Sequence, residues 1–353
     1  MTKIALIGYG YWGPNLARNL AMLPGSPLCG IADTRADLLP TIQATYPGLA
    51  VSRDARSFLE DPTVDGVVLA TPAHTHGPLA REALSAGKSV LVEKPLAMSV
   101  AEARELIQLA EQSGRVLMAG HTFLFSPPVI KLRELIASGQ LGRILYLHGA
   151  RLNLGRVRTD VDVLWNLGPH DVSILLYLLG AMPESVSAVG YAYLRRDIAD
   201  VAFLDFRFPD DVSAHVHLSW LDPCKVRRMT VVGVEKMVVY DDTDVDRQIA
   251  VFDTGILDRD EMVRERLPFA SYHEFQLTRR TSDIYVPKIG TEEPLRNVCA
   301  HFVACVEERE KCLSDGKFGL QVTQVLEAAQ NSMRHNGQRE AIARSTLLTG
   351  SEA

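Results

Sequence analysis

Apolar residues in the first third of the chain fall in short unbroken runs rather than in alternation. Ile4–Ile7, Leu28–Ala32, residues 64–70, Ser89–Glu93 and residues 116–120 are each of strand length, and unbroken apolar runs are what strands buried on both faces of a parallel sheet require. Helical stretches are predicted between them at about residues 36–46, 78–86 and 100–113, the last two stopped by Gly87 and Gly114. This β-α-β-α order predicts an α/β doubly wound parallel sheet over residues 1–120. After Gly120 the pattern changes. A helix is expected at 128–138, and residues 144–152, 186–194, 201–208, 212–218, 229–232, 236–240 and 248–252 read as successive strands, with Pro209-Asp210-Asp211 as a turn. Strands following strands predict a second, α+β domain with a large, mostly antiparallel sheet over 121–353, closed by helices at about 294–312 and 320–335. The alternating Val212, Ala214, Val216 and Leu218 are expected on an exposed sheet face that buries against another copy, giving a homodimer or homotetramer.

Bulk properties narrow the class. A chain of 353 residues fits two domains at a soft prior of about 150 residues each. Its net charge of −6 and lack of any Lys/Arg run leave nucleic-acid binding unsupported. No apolar stretch approaches the ~20 residues that span a bilayer, and a strand begins almost at the N-terminus, so no signal peptide, no membrane contact and a cytoplasmic location are expected. Five scattered cysteines without C-x-x-C pairing are expected to be reduced thiols, implying neither a disulfide framework nor a zinc site.

The chemistry begins between the first run and the helix after it. Gly8, Gly10 and Gly13 form G-x-G-x-x-G: the first permits the tight turn, the second admits a pyrophosphate close to the backbone, and the third lets helix and strand pack. Asp33, at the end of the second run, suits the adenosine ribose hydroxyls and repels a 2′-phosphate, while Arg35 can meet one. NAD is therefore expected, with NADP possible. Tyr11 and Trp12 either lie on the cofactor or fill space beneath the loop.

Ligands of open parallel sheets bind beyond the carboxyl ends of the strands. Two loops there stand out. Thr71, Pro72, His74 and His76 are expected against the cofactor, with His76 capping or lining the next helix; no acidic or sulfur ligand nearby completes a metal site around the two histidines. Glu93-Lys94-Pro95 ends the fourth of the runs above; Glu93 and Lys94 are expected at the cofactor cleft, where the lysine is able to bind a substrate hydroxyl, stabilise the developing oxyanion and relay a proton. Further on, Pro169 is expected at a first helical position and Gly180 at the stop. That places His170 in the first turn, where the dipole favours a neutral ring able to accept a proton.

Together the glycine turn, A-T-P-A-H-T-H from Ala70, E-K-P-L from Glu93, G-H-T-F-L-F-S-P from Gly120 and the helix carrying His170 resemble the glucose-fructose oxidoreductase / inositol dehydrogenase / MocA (Gfo/Idh/MocA) family over nearly the whole chain. The resemblance implies a two-domain NAD(P)-dependent enzyme, an N-terminal Rossmann domain followed by the α+β domain, acting on a carbinol of a sugar, inositol or nucleotide sugar. Lys94 is its catalytic lysine and His170 its acid/base. Asn166 stands where the family pattern often has Asp, so it either positions substrate or leaves the relay to Lys94 and His170. Within the family the chain looks most like nucleotide-sugar 3-dehydrogenases of the UDP-N-acetylglucosamine type. His121 and Phe123 would then line the substrate site, and Arg151, Asn153, Arg156 and Arg158 either receive a diphosphate or form a solvated basic loop. Ketosugar reduction and inositol or free-sugar oxidation are alternatives, as is a non-catalytic NAD-binding regulator.

Overall fold

The computed structural model describes residues 1–155, 157–255 and 283–343. By contacts the chain forms two compact units, 1–126 with 292–327, and 127–291 with 328–353.

The first unit holds β1 (Ile4–Ile7), α1 (Gly13–Met22), β2 (Leu28–Ala32), α2 (Leu39–Thr45), β3 (Ala50–Ser52), α3 (Arg56–Leu59), β4 (Gly66–Leu69), α4 (His76–Ser85), β5 (Ser89–Glu93), α5 (Val100–Ser113) and β6 (Leu117–Gly120). Its six strands pair in the order β3-β2-β1-β4-β5-β6, all parallel, so the order reverses between β1 and β4. Ile4 to Ile7 and Gly66 to Leu69 are buried at every position, which explains their lack of alternation. Helix α5 begins where the Ser99 side chain caps the Glu102 amide and ends at Gly114 with φ +62°, so its limits are those predicted. Two short elements, β3 and α3, were not anticipated; three and four residues carry too little periodicity to announce themselves.

The second unit holds α6 (Pro127–Ala137), β7 (Ile144–Leu154), α7 (Val163–Leu179), β8 (Ser185–Tyr191), β9 (Val201–Arg207), β10 (Ser213–Ser219), β11 (Leu221–Gly233), β12 (Met237–Asp241), β13 (Ile249–Phe252) and β14 (Ile284–Tyr285). Helices α8 (Pro294–Val306) and α9 (Gly316–Arg334) and strand β15 (Glu340–Ala341) follow in the chain. The nine-stranded sheet runs β14-β13-β12-β11-β7-β10-β9-β8-β15; β7 and β10 pair in parallel and the other pairs are antiparallel.

Three expectations are corrected. Val212, Ala214, Val216 and Leu218 are at most 8% exposed and belong to the core of their own unit. Alternation showed that β10 has one buried face, but not what buries it. Helix α8 stops at Val306 rather than 312: Glu308 adopts φ +55°, and its amide and that of Arg309 close back on the Cys305 and Ala304 carbonyls. This helix and residues up to 327 also pack with the first unit, α8 against α1, where chain order alone had assigned them to the second domain.

Candidate active site

In the first unit the expected ligand-binding residues gather at the carboxyl ends of the parallel strands. Gly8 lies at φ +98°, and a Cβ there would meet the Ala70 carbonyl oxygen at 2.7 Å; one on Gly13 would meet the Gly8 oxygen at 2.3 Å. Gly10 differs. The nearest atom to its Cβ position is Arg35 Nη2 at 3.8 Å, so crowding within the chain does not explain this glycine, and the open space suits a close-lying ligand. The turn thus fits a dinucleotide pyrophosphate, held by the amides that open α1.

Asp33 is nearly buried and fully engaged. Oδ2 accepts the Tyr9 amide at 2.7 Å and Oδ1 the Arg35 amide at 2.9 Å, while the Arg35 guanidinium forks onto both oxygens at 3.0 Å. Burial works to raise the Asp33 pKa, but the Arg35 and Tyr9 hydrogen bonds outweigh it and hold the carboxyl below its ordinary value. The two amides hold the carboxylate in place, and the Arg35 side chain on it is half-exposed.

His76 does more than line a helix. Buried at 1% exposure, its Nδ1 faces the Pro95 carbonyl at 2.8 Å and its Nε2 the Thr71 carbonyl at 2.9 Å. It therefore ties the loop after β4 to the loop after β5. Burial lowers its pKa against the pull of the two carbonyls. Thr71 accepts or shares a hydroxyl hydrogen bond with Thr75 at 2.7 Å, while Pro72 and His74 are exposed. Tyr11 and Trp12 stack at 6.5 Å; with Tyr11 84% exposed, the pair does not fill space beneath the turn.

Lys94 follows β5, joined to Pro95 by a cis peptide bond. Burial pushes Glu93 up to about 7, opposed by the Lys94 charge and amide and by a hydrogen bond from Trp12. Just beyond β6, His121 is 1% exposed, and neither ring nitrogen has a hydrogen-bond partner among the described residues. Its ring lies edge-on to Phe318 at 5.6 Å, and burial with the nearby Lys94 charge pushes its pKa down to about 3. A neutral imidazole with two unsatisfied buried nitrogens invites a ligand. Phe123 sits in the short turn that follows, partly exposed.

In the second unit Asn166 and His170 are four residues apart on one face of α7. The helix starts at Val163, where the Asp162 side chain caps the Trp165 amide at 3.0 Å, and Pro169 lies inside it. The first-turn placement of His170 is thus corrected: the helix start is a full two turns away, and the dipole effect fades within one turn. The stop at Gly180, φ +62°, is as expected, with Arg133 binding the Tyr177 and Leu178 carbonyls. Asn166 Oδ1 accepts the Trp220 indole N–H at 3.1 Å. Because the indole only donates, the amide orientation is fixed and the NH2 is directed elsewhere as a donor. Trp220 was not foreseen; no sequence spacing links it to Asn166.

The four basic-loop residues do not act alike. Arg151 is 5% exposed and forks onto Asp171, Nε to Oδ2 at 2.5 Å and Nη2 to Oδ1 at 3.4 Å, so it braces α7 on β7 and is not available to a diphosphate. Arg158 pairs with Asp160 at 2.7 Å on the surface, and Asn153 is partly exposed on β7. Arg156 lies outside the described residues.

A family model described as the oxidoreductase family with an NAD-binding Rossmann fold matches residues 2–121, and its C-terminal domain model matches 129–239. The chain belongs to the Gfo/Idh/MocA family, and its N-terminal region is an NAD-binding Rossmann fold. An oxidoreductase candidate from Magnetospirillum magnetotacticum MS-1 is 31% identical, superposing with a TM-score of 0.77 over 93% of this chain and 99% of that one. UDP-N-acetylglucosamine 3-dehydrogenase GnnA from Acidithiobacillus ferrooxidans, 24% identical with TM-score 0.77 over 94% and 98% of the chains, shares the fold. Among sequences, oxidoreductase YdgJ of Escherichia coli K12 is 33% identical over 206 residues, 55% of this chain and 57% of that protein. Inositol 2-dehydrogenase 2 of Saccharopolyspora erythraea is 31% identical over 210 residues, 58% and 61% of the two. The matched stretch thus spans a little over half of these two curated relatives. No helix among the described residues is long and apolar enough to cross a membrane.

Proposed function

We propose that the chain is an NAD-dependent dehydrogenase of a secondary carbinol in a sugar or polyol, first among them C3 of a nucleotide sugar such as UDP-N-acetylglucosamine. The observation that carries it is in the first unit: a glycine turn open at Gly10, with Lys94 and the unsatisfied His121 at neighbouring strand ends. Gly8, Gly10 and Gly13 would hold the pyrophosphate and Asp33 the ribose. Bound NAD supplies the hydride acceptor. In the oxidising direction His170 takes the hydroxyl proton, the carbinol C–H leaves as hydride, and the C–O bond becomes a carbonyl whose oxygen Lys94 steadies. Asn166, held by Trp220, donates from its amide to substrate.

The loss of Arg151 as a diphosphate ligand leaves Asn153, Arg156 and Arg158 for that role, and brings a second reading forward. Oxidation of an inositol or free sugar is favoured by the 31% identity to an inositol 2-dehydrogenase. The exposed side of the second sheet supports a homodimer or homotetramer: Tyr191 and Phe203 stand 44% and 47% exposed, Tyr193 just past β8 is 67% exposed and stacks on Tyr191, and Phe203 stacks on His217 at 4.3 Å.

NADH formation with nucleotide sugars, free sugars and inositols, supplied singly with NAD or NADP, tests the reading. Turnover confined to one sugar or polyol class supports it. NAD binding with no turnover on any alcohol, and no NADH consumption on the matching ketones, contradicts it in favour of a regulator.

A further inference from the structure

The early stop of α8 has a chemical result away from the strand ends. His301 and Cys305, four residues apart, share one face of α8, and the return of residues 307–313 brings Cys312 against them. Cys305 Sγ lies 3.4 Å from His301 Nε2, and the three donor atoms His301 N, Cys305 Sγ and Cys312 Sγ all lie within 4.8 Å of one another.

We propose that His301, Cys305 and Cys312 form a binding site for a thiophilic divalent cation of the zinc class. In a tetrahedral zinc site with Zn–S near 2.3 Å and Zn–N near 2.0–2.1 Å, ligand atoms stand about 3.6–3.8 Å apart, so the cluster needs only small contractions to close on an ion. The histidine is already in the ligating tautomer. The Leu313 amide, which can only donate, meets Nε2 at 2.9 Å, so that nitrogen keeps its lone pair. Nδ1 then carries the proton and gives it to Glu310 Oε2 at 2.6 Å, the carboxylate–histidine arrangement that orients metal-bound imidazoles. Binding releases the thiol protons to solvent and costs the Leu313 amide its acceptor; a solvent molecule completes the fourth position.

The ion would be a brace. Just after Cys312, the Ser314 carbonyl accepts the Ala119 amide and its hydroxyl donates to the Ala119 carbonyl, each at 2.8 Å, while Asp315 bridges to Met118. A cation pinning 307–313 to α8 therefore also pins the segment flanking β6, the strand that leads to His121.

The test is cobalt titration of the reduced, chelator-treated full chain, followed by zinc. One equivalent of cobalt with thiolate-to-metal charge-transfer absorption, displaced by one equivalent of zinc, is expected. The absorption should vanish in Cys305→Ser/Cys312→Ser, weaken at least tenfold in affinity in His301→Asn, and persist in Cys29→Ser/Cys224→Ser. Zinc should also shield two thiols, Cys305 and Cys312, from alkylation in the unaltered chain, a reading that needs no variant to fold. No charge-transfer band in the reduced protein, or one that survives the double substitution, overturns the site. So does a purified chain crosslinked between Cys305 and Cys312 that takes up no cobalt after reduction.

Discussion

The two regions that carry the chemistry hold their side chains by opposite means. At the strand ends of the first unit, Lys94 stands on a loop that is gripped by its main chain: the buried His76 ring lies between the Thr71 and Pro95 carbonyls. In the second unit Asn166 and His170 stand on a rigid helix, and the helix is fixed by side chains from other elements, Arg151 of β7 on Asp171 and Trp220 on Asn166. A loop gives close approach to a ligand and needs a local clamp. A helix needs only its face set correctly, and that orientation comes from distant parts of the chain.

The contrast is broken most severely at Asp171. Asp171→Ala removes the carboxylate that neutralises the buried Arg151 charge, and should cost about 3–5 kcal/mol of stability, read by denaturant unfolding; Arg158→Ala, which loses only a surface pair, is the control and should change it by about 0.5 kcal/mol or less. His76→Leu removes the ring N–H that one of the two carbonyls accepts and should cost about 1–3 kcal/mol, while weakening NAD as the two loops part. A loss of stability with unchanged NAD affinity would show that the clamp does not shape the cofactor site. Gly10→Ala should leave the unfolding midpoint in place but weaken NAD about tenfold, about 1.4 kcal/mol; unchanged affinity by calorimetry would remove the pyrophosphate from that turn.

Titration sharpens the picture of the strand ends. His121 takes its proton near 6.5 when unfolded and only near 3 when folded, so the unfolded chain binds the extra proton in between. Stability from this group is present above pH 6.5 and is lost as pH falls toward 3. Glu93 acts with the opposite sign. Its folded pKa is pushed up from 4.5 to about 7, so the folded chain holds the extra proton and stability falls as pH rises across that range. His121→Leu should flatten the acid-side loss and Glu93→Gln the decline toward neutrality, in melting midpoints followed against pH.

Legibility in the sequence follows the same division. The parallel sheet, the glycine turn, Asp33 and Lys94 were readable because each depends on neighbours in the chain: an unbroken apolar run, a turn spacing, a residue at a strand end. Helix α5 was readable to the residue for the same reason, from Ser99 to Gly114. What failed depends on contacts remote in sequence. The pattern in β10 gave one apolar face, yet nothing local said that its own unit covers it. Pro169 reads as a helix start because a proline lacks its amide donor, but Asp162 caps the true start seven residues earlier. Arg151 reads as a surface phosphate ligand until Asp171 is seen beside it, and Cys305 and Cys312 read as scattered until α8 ends at Val306.

The most direct test of the proposed chemistry is NAD reduction by the preferred alcohol in the unaltered chain, Lys94→Met and His170→Asn, with NAD affinity measured on each. The expected result is NAD binding within about twofold in all three and a fall in kcat of about 10²–10⁴ in each variant, since both groups act on the reacting hydroxyl while the glycine turn and Asp33 carry most of the hold on the nucleotide. Undiminished turnover in either variant would contradict the role given to that residue. Undiminished turnover in both would mean that the hydride leaves some other site.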